Sequence, residues 1–136
     1  MASLLVFPDS EELFRAEIAA RASEVLGSAI PASTMVPANR PAEFLIVRRV
    51  GGSRRDLVTD VPVIQVEAWA NRGSRASRIA NVVQALMQSF TEIGGYSVGL
   101  EDEIVGPTSY PDGSQQARYT ASYAMAIRGE ELINIA

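Results

Sequence analysis

The sequence predicts an α+β fold: a four-stranded, mainly antiparallel sheet with two amphipathic helices on one face, in the order αββαββ. Three observations carry this reading. Two segments repeat apolar residues at helical spacing, four others are rich in β-branched or aromatic residues or alternate in polarity, and glycine or proline separates them. Laying both helices on one sheet face is the simplest way to bury their apolar stripes.

The first helix opens at Asp9, with Glu12 completing a capping box. Leu13, Phe14, Ile18, Ala22, Val25 and Leu26 supply the apolar stripe, and Gly27 is the expected stop. Pro31, Pro37 and Pro41 keep residues 28–41 extended or looped. Glu43 to Val50 then reads as a strand running into Gly51-Gly52. Leu57 to Ala70 is its partner, with Ile64, Val66, Ala68 and Ala70 on one face and Trp69 on the other. Pro62 places the start of that strand at an edge or a bulge. The hairpin tip, Gly51 to Asp56, carries Arg54 and Arg55.

Ser74 is the expected N-cap of the second helix. Ile79, Val82, Val83, Leu86, Phe90 and Ile93 follow at helical spacing, and Gly94-Gly95 is the expected stop. Tyr96–Val105 and Gln116–Arg128 read as the last two strands, linked through a type I turn at Tyr110-Pro-Asp-Gly113. Tyr119 and Tyr123 share a face of the last strand and are expected in the core. Residues 1–136 are expected to form a single domain, with 130–136 as a loose tail.

Composition removes much chemistry. The chain has 136 residues and contains neither cysteine nor histidine. Thiolate chemistry, disulfides and the side chain most used for acid–base work near neutral pH are therefore excluded. Glu101-Asp102-Glu103 is the one carboxylate cluster beyond the first helix, and it reads as a solvated strand edge. Gly51-Gly-Ser-Arg-Arg55 lacks the lysine and the strand-to-helix setting of a phosphate loop. No cofactor, metal site or catalytic residue is expected. The opening segment is too short and uncharged for a signal peptide, and no apolar run is long enough to span a membrane, so synthesis in the cytoplasm is expected.

Charge is unevenly distributed. All 12 basic residues are arginine, and residues 40–78 carry a net +4 while the remainder carries −8. Arg72, Arg75 and Arg78 recur every third residue into the second helix, where they suit a solvated helix start, a polar subunit contact or a surface facing nucleic acid. Trp69 suits either a core position or an interface anchor, because tryptophan and arginine are enriched in binding hot spots.

Several segments in order resemble a known family. They are Arg40-Pro-Ala-Glu-Phe44, Arg48-Arg-Val-Gly-Gly52, Val63-Ile-Gln-Val-Glu-Ala-Trp-Ala70, Gly106-Pro107, Tyr110-Pro-Asp-Gly113 and Ala117-Arg-Tyr-Thr120. With the helix carrying Ala76, Ile79, Ala80, Val83 and Leu86, this order and spacing resemble the tail terminator (tail completion) proteins of long-tailed phages infecting actinobacteria. The resemblance runs from about residue 11 to 129. It implies a structural virion protein forming a hexameric ring on the tail tube at the head–tail junction. Its implied partners are further copies of itself, the major tail tube protein and a head-side connector or stopper, with genomic DNA passing through the lumen. It implies no catalytic residues. Arg54, Arg55, Trp69, Arg72, Arg75 and Arg78 are the expected contact residues, with the sheet edges and the 51–56 tip supplying much of the surface. The alternatives are another head–tail connector component, or a nucleic-acid-binding module using the arginine-rich middle. The acidic isoelectric point, about 4.8, disfavours the latter.

Overall fold

Residues 2–135 are described by the computed structural model, with side chains described for residues 4–131. The order is β1 (Ala2–Val6), α1 (Ser10–Leu26), β2 (Ala32–Ser33), β3 (Glu43–Arg54), β4 (Thr59–Ala70), α2 (Gly73–Ser89), β5 (Glu92–Ile93), β6 (Tyr96–Ser109), β7 (Ala117–Arg128) and β8 (Glu130–Ile135). The fold is α+β, but the expected four-stranded sheet is wrong. A curled six-stranded sheet runs β2-β3-β4-β7-β6-β5, and β1 pairs with β8 in a separate two-stranded ribbon. The discrepancy arises from short strands. β2 and β5 have two residues each, too few to show a polarity period, and β1 is a short apolar run with no alternation.

Asp9 caps α1 by accepting the Glu12 N–H at 3.2 Å, and Gly27 ends it in the left-handed region at φ 68°. Only half of the capping box forms, because the Glu12 carboxylate accepts from Arg15 instead. The buried stripe is Ser10, Phe14, Ile18 and Ala22. Val25, expected in that stripe, is exposed.

The hairpin is longer than its apolar run suggested, with β3 continuing to Arg54 and β4 beginning at Thr59. A register shift between Arg49 and Gly51 absorbs an extra residue. Pro62 sits within an interior strand. The β4–β7 ladder lapses at Val61 and Pro62 and resumes at Val63, as a residue without an N–H requires.

Helix α2 starts one residue before the expected cap. Arg72 occupies the N-cap with no side-chain hydrogen bond, so Ser74 lies inside the helix. Phe90 and Ile93 lie beyond its end. Gly94-Gly95 is not a helix stop but the two-residue turn joining β5 to β6, with φ 59° and 85°. A tight hairpin turn of this kind needs positive φ at both positions, which glycine tolerates at little cost.

One cluster holds most of the core: Phe14 and Ile18 of α1, Ile79 and Val83 of α2, and the inner sheet face around Leu45, Ile64, Ala68, Tyr123 and Met125. Fully burying each large apolar side chain there contributes about 1.5–3 kcal/mol. A second, small cluster of Phe44, Ile46 and Trp69 lies on the opposite face. Three register shifts along β6 break its alternation against β7 and add to the curl. Residues 130–135, expected as a loose tail, form β8, while Ala136 lies outside the described residues. No helix among the described residues is long and apolar enough to cross a membrane.

Candidate functional site

A concave surface forms where β3 begins, β4 ends and α2 starts. It is a cleft of about 650 Å³ whose lining includes Pro31, Pro41, Ala42, Asn71, Arg72 and Arg78. Gln116 braces it from the start of β7, donating to the Pro41 carbonyl at 2.8 Å and to Asn71 Oδ1 at 3.3 Å. Arg75 lines the same cleft but is committed within the chain. Its Nε meets Glu43 Oε2 at 2.6 Å, and its Nη2 reaches Glu43 Oε1 and Ser28 Oγ at 3.2 Å. The hydrogen-bonded Glu43 carboxylate raises the Arg75 pKa above its ordinary value. Arg72 and Arg78 are exposed, and neither has an ion-pair partner among the described residues.

The electrostatics of this corner follow from the helix. The first turn of α2 holds no acidic residue and its N-cap offers no side-chain acceptor, so the helix itself does not compensate the positive end of its dipole, and the one carboxylate of the cleft lining, Glu43, is taken up by Arg75. Two free guanidiniums add to that field. The cleft is therefore suited to carboxylates or other anionic groups.

The other expected contact residues are placed differently. Trp69 is no surface anchor, with only 1% of its area exposed. It stacks on Phe44, and the Arg40 and Arg118 guanidiniums lie over it, each 5.2 Å from the ring centroid. Arg118 also donates to the Tyr110 carbonyl at 2.7 Å, and Arg40 lies 3.7 Å from Asp112, so the loop after β6 closes over the indole. Arg54 packs over the Phe7 ring at 4.4 Å. Arg55 pairs with Glu101 at 2.7 Å in its own chain rather than waiting free for a neighbour. Both side chains are more than a third exposed, so this pair contributes at most about 1 kcal/mol.

The arginine-rich middle is largely neutralised internally. Arg40, Arg48, Arg49, Arg55 and Arg75 each meet a carboxylate of the same chain, leaving Arg54, Arg72 and Arg78 without one among the described residues. A continuous basic stripe for a phosphate backbone is not formed. Glu101 and Glu103 do not combine as an acid–base pair either: Glu101 faces Arg55, whereas Glu103 accepts from Gln84 of α2.

Sequence reasoning found the arginines of the cleft but missed its walls. Gln116 and Pro41 are 75 residues apart, and no local pattern marks them as neighbours. Nothing local marks Arg40 and Arg118 either, since their shared position over Trp69 depends on the pairing of β4 with β7. No protein-family model matches the chain, and no curated protein matches its sequence.

Proposed function

We propose that the protein is a structural subunit that assembles with copies of itself into a ring capping a phage tail tube. The ring ends tube polymerisation and offers the head-side connector its attachment surface. The order of motifs described above supports the phage assignment. The observation that carries the assembly reading is the amount of chain left open for partners. Beyond Val98 the outer edge of β6 has no strand partner among the described residues, and it exposes Ile104 and Val105. The hairpin adds Val50 at 51% exposure along β3 and Leu57 at 79% in its turn. Unpaired strand edges and exposed apolar side chains are the usual materials of subunit contacts.

The test is a native mass measurement of the purified protein, alone and with tail tube protein, followed by imaging of capped tubes. A closed ring, six copies by the symmetry expected of the tube, is the anticipated result. A single copy per tail, or an open helical stack, would remove the reading.

A further inference from the structure

The long strands of the main sheet separate two surfaces of unlike chemistry. The α2 cleft lies at the end where β3 and β7 begin and β4 finishes. At the opposite end the Gly129 N–H donates to the Val58 carbonyl at 2.9 Å and the Phe7 ring lies against Gly129. The β1–β8 ribbon leaves the sheet there. Strands of 12 residues at ~3.3 Å per residue place the two surfaces about 35 Å apart. Neither surface can meet the other within one chain.

The ribbon carries apolar and acidic side chains together. Leu4 and Val6 are 46% and 43% exposed and share a face with Glu130, which lies opposite Val6, while Glu131, opposite Leu5, lies on the other face. Glu130 accepts from the Tyr96 hydroxyl at 3.1 Å, and neither glutamate has an arginine partner among the described residues. The arginines at that end are Arg54, which packs on Phe7, Arg55, which pairs with Glu101, and the exposed Arg128. The cleft supplies the complement: proline and alanine walls with the unpaired Arg72 and Arg78.

We infer that the ribbon of one copy seats in the α2 cleft of the next, with Leu4 and Val6 against Pro31, Pro41 and Ala42, and with Glu130 and Glu131, on opposite faces of the ribbon, meeting the Arg72 and Arg78 guanidiniums on either side. This inference rests on the ring reading above and names the contact that builds the ring. It joins two different surfaces of one chain, so it repeats head to tail and closes when the rotation between copies allows. Ion pairs seated among prolines are partly desolvated, and breaking one leaves an uncompensated charge.

The chain has no cysteine, which makes cross-linking clean. Leu4→Cys combined with Ala42→Cys should give, on oxidation, a ladder of covalent oligomers ending in one closed species, whereas either single variant stops at dimers. A double variant that yields no more than the single ones would overturn the contact. Charge reversal gives a second measurement. Arg72→Glu/Arg78→Glu and Glu130→Arg/Glu131→Arg should each lower ring assembly at least tenfold with unchanged melting. An equal mixture of the two should recover it, since copies can then alternate. Unchanged assembly, or a loss that the mixture does not recover, sinks the contact while leaving the ring reading standing. Wild-type protein that never assembles, even with tail tube protein, removes both.

Discussion

Trp69 lies against Phe44 with ring centroids 5.3 Å apart and planes 13° from parallel, on the sheet face that the helices leave uncovered. The pair follows from register, because Phe44 and Trp69 are directly opposite in the β3–β4 ladder and Arg118 is opposite Trp69 in β7. Trp69→Ala should therefore cost about 3–5 kcal/mol of folding stability, as expected for a fully buried aromatic ring. Chemical denaturation measures this directly. A variant with wild-type stability but defective assembly would restore Trp69 to the role of surface anchor.

Gly52 occupies the hairpin at φ 91°, and a Cβ there would overlap the Val61 carbonyl oxygen and come within 2.7 Å of the Pro62 Cα. Backbone cannot swing aside as a flexible side chain can. Gly52→Ala should lower stability by about 2 kcal/mol or more, through strain and a disrupted hairpin. Gly51→Ala, with nothing near its Cβ, serves as the control. Equal stability of the two variants would contradict this strand geometry.

Arg49 ties three elements together. Its Nη1 and Nη2 meet the Asp60 carboxylate at 2.8 and 3.3 Å, and its backbone N–H donates to Glu11 at 2.9 Å. Asp60 is buried, so removing its partner strands a charge. Arg49→Met should cost about 2–4 kcal/mol, and Arg49→Met/Asp60→Leu should regain much of it. The measurement is a double-mutant cycle by denaturant unfolding, with losses that simply add as the contrary result.

Tyr123 is fully buried and its hydroxyl has no hydrogen-bond partner. Burial, and then the nearby Glu103 carboxylate, raise its pKa above the ordinary value of 10.0. The folded state thus retains a proton that the unfolded chain releases. The associated stability is fully present below pH 10 and is lost as pH rises further, at about 1.4 kcal/mol per pH unit for this group. Alkaline titration by ultraviolet absorbance should show one of the four tyrosines ionising only as the protein unfolds. Four ionisations completed in the folded state would disprove it.

Local signals were legible wherever they are written in neighbouring residues. Asp9 and Gly27 bound α1 as read, because capping and left-handed backbone are short-range matters. The same kind of reading failed at Gly94-Gly95. A glycine pair after a helical pattern suits a helix stop and a hairpin turn equally, and only the pairing of Ile93 with Tyr96 distinguishes them. Of the expected contact residues, Arg72 and Arg78 stay free while Arg55, Trp69 and Arg75 are engaged within the chain. Their partners Glu101, Phe44 and Glu43 are distant in sequence, and no periodicity encodes them.

The sequence by itself therefore determined the α+β class, the two helices, the long hairpin, the inner-face alternation and the exclusion of thiol and imidazole chemistry. Each follows from composition or from the 3.6- and 2-residue periods of a chain laid against one core. Only the tertiary structure decided the six-strand order, the β1–β8 ribbon, the second cluster under Arg40 and Arg118, and which arginines remain unpaired. Those depend on register between segments far apart in the chain, where a shift of one residue exchanges the two faces of a strand and every partner with them.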